Sequence, residues 1–145
     1  MKLLDRLRDL LRKAPEQVLT PDTPGLSVVA EAFDIAEADS AVLARSHLLA
    51  ADRPAVLRHH LRLPGDKVTE ATGLLAQDGW ELRPTAGGSA AEEALNSGFV
   101  RLHALRVQQL DALHCAQERS RMAGLAQRLG GDSLGWDALQ PSPEA

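Results

Sequence analysis

The sequence predicts an α+β fold made of two βαβ halves in series, preceded by an extra N-terminal helix. Three observations predict it. Residues 56–63 alternate apolar and polar side chains with a period of two; the stretches following Asp66 and Asp111 carry apolar residues at helical spacing; and each of those helices runs into glycine before a second strand-like segment. A hydrophobic content of 44% and a charged content of 25% suit a chain that folds, and 145 residues suffice for one compact domain with an appendage.

The first element is an amphipathic helix over 2–13, with Leu3, Leu4, Leu7, Leu10 and Leu11 on one face. Its polar face sets Lys2, Arg6, Arg8, Arg12 and Lys13 against Asp5 and Asp9, so it is basic. Residues 14–25, with Pro15, Pro21 and Pro24, break the helix and read as a linker. Such a helix docks on its own domain, grips a partner helix or lies on an anionic membrane surface; two aspartates and no aromatic anchor favour the first two, with Leu3, Leu7, Leu10 and Leu11 as the contact residues. Residues 26–51 form a mainly helical lead-in. Ala38 to Ala51 reads as helix, whereas Val28, Val29, Phe33 and Ile35 suit strand and helix equally.

The main domain covers 52–140. Its first strand sets Leu57, His59, Leu61 and Leu63 against Arg58, His60 and Arg62 and is stopped by Pro64-Gly65. Asp66 is the expected cap of a helix with Val68, Ala71, Leu74 and Leu75 on one side, closed by Asp78-Gly79; a strand from Trp80 to Arg83 follows. Pro84 to Gly98 reads as a polar loop. The order then repeats: strand Phe99–Val107, helix Leu110–Leu129 starting near Asp111, stop at Gly130-Gly131, strand Leu134–Leu139, and a short tail over 141–145. Gly79-Trp80 and Gly135-Trp136 are the expected mark of an internal duplication. Two such units most simply give a four-stranded antiparallel sheet with both helices on one face, a ferredoxin-like sandwich, because right-handed crossovers put the helices on the same side. Trp80 and Trp136 then belong to the core.

The His59-His60 pair in the first strand, the step Gly79-Trp80-Glu81-Leu82, and Leu125-Ala126-Gln127 leading into Gly130-Gly131-Asp132-Ser133-Leu134-Gly135-Trp136 carry a family likeness. On these residues the stretch from Asp52 to Gln140 resembles the type B regulators of ribonuclease E activity. Ser133 and Leu134 stand where that family usually has Tyr and Asp. The resemblance implies a ferredoxin-like protein that inhibits a ribonuclease E/G-type endonuclease by binding it, without catalysis of its own.

The residues themselves offer little for an enzyme. His59 and His60 point to opposite faces of a strand, and His114 and Cys115 diverge on a helix, so no zinc-like spacing arises and neither a metal nor another cofactor is expected. Gly130, Gly131 and Gly135 follow a helix and lead into a strand, the reverse of the nucleotide-binding order. Ser40, Ser46, Ser120 and Cys115 sit in no nucleophile motif, and Cys115 suits a core position. One cysteine rules out an internal disulfide, and the charges at Asp5, Arg6, Arg8 and Asp9 are incompatible with a secretory signal; the expected location is the cytoplasm, without integral membrane association.

What remains is a surface. If Leu57, Leu61, Trp80, Leu82, Val100 and Leu102 face the helices, then Arg58, His60, Arg62, Arg83, Arg101 and His103 emerge together on the open side, with the first and third strands of the unit adjacent. That face is expected to be basic and to lack aromatics. Three readings apply: a solvated face or one covered by the N-terminal segment, a protein partner held by arginine forks, and RNA held by its phosphates alone. The protein partner, such as a ribonuclease, ranks above RNA. The net charge of −4 supplies no global attraction for nucleic acid.

Overall fold

The computed structural model describes residues 3–4, 18–85 and 90–142. It is α+β: a five-stranded, fully antiparallel open sheet and, among the described residues, four α-helices. In chain order these are β1 (Leu26–Ala32), α1 (Asp39–Arg45), β2 (Pro54–Pro64), a 3₁₀ turn (Gly65–Lys67), α2 (Val68–Ala76), β3 (Glu81–Pro84), α3 (Ala90–Ser97), β4 (Phe99–Gln109), α4 (Ala112–Arg128) and β5 (Asp132–Pro141). The strand order is β1-β5-β2-β4-β3.

Period-two alternation works along β2: Leu57, His59, Leu61 and Leu63 are buried, while Arg58, His60 and Arg62 between them are partly exposed. The buried set packs with Ala71 and Leu75 of α2, Cys115, Met122, Leu125 and Ala126 of α4, and Val42 of α1 in one apolar cluster. All three helices therefore cover the same side of the sheet. Trp80 and Trp136 are both buried in this layer, as the sequence predicts.

The two longer connections begin and end as sequence signals indicate, with one exception. Asp111 caps α4, its carboxylate accepting the His114 backbone N–H at 2.8 Å. Asp66 does not cap α2: it lies in the 3₁₀ turn, and Lys67 takes the cap position without a side-chain hydrogen bond. Both helices close in the same way. Gly79 and Gly130 adopt positive φ (80° and 83°), and the next residue's N–H reaches back to a carbonyl five residues earlier, Trp80 to Leu75 and Gly131 to Ala126.

Several expectations change. The sheet has five strands, because residues 26–32 form β1 and pair with β5, so 26–51 is part of the domain and not a helical lead-in. The helix expected over 38–51 is confined to Asp39–Arg45. The stretch expected to be a loop before Gly98 contains α3, which lays the small side chains of Ala90 and Ala94 on the core. Gly79-Trp80 and Gly135-Trp136 are not equivalent positions: the first ends a helix, whereas Gly135 lies within β5 and is matched at the helix end by Gly130. Gly135 has φ 121°, and a Cβ there would sit 2.4 Å from the Ala32 carbonyl oxygen, so glycine is required where β5 closes on the end of β1.

Candidate functional site

The side of the sheet away from the helices is built by β2, β4, β3 and β5 from alternate residues of each strand. The register sets His60 opposite His103 and Arg62 opposite Arg101 on β2 and β4, and Arg83 of β3 opposite His103. All six residues expected on this face are there, and the β2 and β4 members are side by side. His59, one residue from His60, points into the core.

The expectation of a basic face needs correction, because carboxylates alternate with the guanidiniums. Asp137 of β5, across from Arg58, accepts from it at 2.8 and 2.5 Å and lies 2.9 Å from His60 Nε2. Asp137 is nearly buried. Burial alone would raise its carboxyl, but hydrogen bonds from Arg58 and His60 prevail and bring it down to about 2. Arg62 lies 3.5 Å from Asp132, and Arg83 is shared between Glu81 and Asp22. Sequence reasoning missed these pairings since each except Arg83–Glu81 joins residues far apart in the chain; the alternation of Arg58 with Asp137 emerges only once β2 and β5 are known to be neighbours.

The expected lack of aromatics also fails. Phe99, at the start of β4, lies on this face with the Arg62 guanidinium 3.7 Å from its ring centroid, and Phe33, just past β1, meets His60 edge-on at 4.9 Å. Arg62, set opposite the like-charged Arg101, is thus folded over an aromatic ring and toward Asp132. His60 and His103 stack edge to face at 4.4 Å. His103 is lowered to about 4, first by burial and then by His60 and Arg58 nearby, so it is neutral near pH 7. Arg101 projects into solvent, and its side chain has no ion pair among the described residues.

The face has two halves. One is roofed by residues 20–25. Val56 and Leu105 are on the side opposite the helices yet are buried (1% and 6% exposed), and with Pro21, Arg58, Arg83 and His103 they line an open cavity of about 220 Å³. The alternative of coverage by the N-terminal segment thus applies to this half. The other half, with Arg62, Phe99, Arg101 and Phe33, is open. Of the N-terminal helix residues, Leu3 and Leu4 are helical and exposed, while Leu7, Leu10 and Leu11 lie outside the described residues.

The opposite side carries polar groups with structural partners. The indole N–H of Trp136 donates to Asp39 at 3.0 Å, and Arg119 binds the Ala32 and Glu37 carbonyls. Arg106 stacks on Trp80 at 4.1 Å and joins Glu118, which Gln108 also contacts. His59 is fully buried against Trp80, neither ring nitrogen has a hydrogen-bond partner, and burial lowers it to about 3. Burial pushes the Cys115 thiol up to about 12, so the thiolate needed for nucleophilic chemistry is suppressed. Among the described residues no group of three or more His, Cys, Asp or Glu side chains is arranged to hold a metal ion, and no helix is long and apolar enough to cross a membrane.

No family model, curated protein or solved structure matches the chain.

Proposed function

We propose that this chain is a non-catalytic regulator that binds a ribonuclease E/G-type endonuclease, or related RNA-processing machinery, through the open face of its sheet. The observation that carries the reading is the segregation of the two faces. Four helices and the apolar core occupy one side, and the other presents an ordered array of arginines, histidines and carboxylates with two phenylalanines at its margin. Fixed arginine forks with aromatic neighbours suit a protein surface bearing complementary charges. Strands β2 to β5 in the order β5-β2-β4-β3, with α2 and α4 as crossovers on one side, support a ferredoxin-like unit to which β1 is added at the edge. The family likeness in the sequence points to the ribonuclease and the geometry supports a binder, which we take to act in the cytoplasm without a cofactor.

The test is co-purification of the full chain with a ribonuclease E-type enzyme after exhaustive RNA digestion, paired with cleavage of a single-stranded RNA substrate. The complex is expected to survive digestion, slow cleavage, and weaken at least tenfold with Arg101→Glu. If the enzyme is not retained, the reading fails.

A second reading has its own observation. Phe33 and Phe99 give the face the aromatic platforms on which RNA bases stack, beside Arg62 and Arg101. The paired carboxylates Asp137, Asp132 and Glu81 oppose a phosphate chain, so RNA ranks second. Direct RNA binding would weaken steeply with salt.

A further inference from the structure

We propose that residues 20–25 are a built-in competitor for the open face, and that the partner they compete with is a carboxylate-rich, extended polypeptide segment. The inference rests on the reading of that face as the binding surface. Among the described residues the segment's one ion pair to the sheet is made by Asp22, both of whose oxygens accept from Arg83, at 2.7 and 3.1 Å. Asp22 is otherwise largely in solvent, and Arg83 retains Glu81 at 2.9 Å on its other side.

The segment is shaped to present that carboxylate. The Thr20 backbone N–H donates to Thr23 Oγ1 at 2.9 Å, the Asp22 N–H donates to Thr20 Oγ1 at 3.2 Å, and Thr23 N–H closes the turn on the Thr20 carbonyl at 3.1 Å. Gly25, at φ 76° with open space where a Cβ would be, joins this turn to β1 and can absorb a change of direction. Pro21 meanwhile lines, with Val56, Leu105 and Leu139, the cavity beside this pair. The pair Pro21-Asp22 therefore does what a bound peptide would do: an apolar residue beside an apolar floor, and a carboxylate on an arginine fork.

Displacing the segment leaves Arg83 with Glu81 alone and uncovers the side of the cavity lined by His103, two residues along the same face of β4 from Arg101, which has no carboxylate partner among the described residues. This edge is then net cationic. An extended segment with an apolar residue followed by an acidic one, and a further acid spaced to reach Arg101, meets each of these groups.

The test titrates the full chain with a short synthetic peptide alternating leucine and aspartate, by calorimetry at low salt. Asp22→Ala is expected to tighten binding about two- to fivefold, the scale of one exposed ion pair, whereas Arg83→Gln and the solvent-exposed Arg101→Gln weaken it. Unchanged or weaker binding by Asp22→Ala overturns the competitor, and absence of peptide binding by every variant overturns the acidic partner. Tightening of a single-stranded oligonucleotide instead of the peptide assigns the face to RNA. If Arg101→Glu abolishes ribonuclease binding but Asp22→Ala changes neither ligand, this inference fails and the regulator survives; if the peptide behaves as expected but the ribonuclease is not retained, the regulator fails.

Discussion

The helix-covered side and the open side of the sheet are made by the same strands, yet they are stabilised by different terms. His59 and His60 show the contrast. His59 enters an apolar layer where neither nitrogen finds a partner and only the ring's packing on Trp80 is favourable, whereas His60 lies one residue away in a hydrogen-bonded lattice with Asp137 and His103. Burial of apolar area dominates on one side and directional pairing on the other. Apolar burial is non-directional and additive over area, while the open side depends on pairs that remain in reach of water and contribute less.

That contrast is broken most severely from the core. Trp136→Ala removes a fully buried ring and strands Asp39 without its indole donor; a loss of about 3–5 kcal/mol is expected in urea unfolding, with equal slopes for the two proteins. Acid gives the next largest effect. His59 is held at about 3 against 6.5 when unfolded, so the unfolded chain takes up the proton first. The protein keeps its full stability with respect to this group above pH 6.5 and loses on the order of a few kcal/mol as pH falls toward 3. His103, held at about 4, acts in the same direction. His59→Leu should flatten the slope of stability between pH 6.5 and 4 without lowering stability at pH 7, since a buried unpaired imidazole is replaced by an apolar side chain.

On the open side, Asp137→Ala leaves Arg58 and His60 without their shared acceptor, and a loss of about 2 kcal/mol is expected at pH 7. Asp137, lowered from 3.8 to about 2, contributes above pH 3.8, and that contribution disappears as pH falls through 2. The smallest effect sharpens the comparison most. Arg101→Ala should change stability by less than about 0.5 kcal/mol while weakening the proposed ribonuclease complex, a separation of folding from binding that no core residue should show.

The sequence makes the central elements legible where local pattern and tertiary role agree. β2 alternates because one of its faces is dry and the other wet, and α4 announces its start at Asp111 and its stop at Gly130. β1 is obscure because a bulge between Val28 and Ala30 interrupts its alternation, leaving Val29 and Ala30 both buried. α3 is obscure because it meets the core through alanines, too small to make a visible stripe. The six face residues follow from alternation alone, but their electrostatic character does not. Asp137 meets Arg58 across 79 residues and Asp22 meets Arg83 across 61, so neutralisation and roofing are properties of the closed sheet.

The placement of the two tryptophans has an optical consequence. With no tyrosine in the chain and both indoles buried in the helix-covered layer, near-ultraviolet emission originates wholly from the core. Trp80 is bracketed by the His59 imidazole at 5.2 Å and the Arg106 guanidinium at 4.1 Å, so protonation of His59 sets a second cation against its ring. Intrinsic fluorescence is therefore a gauge of core protonation and unfolding, and a ligand settling on the open face is expected to leave it unchanged.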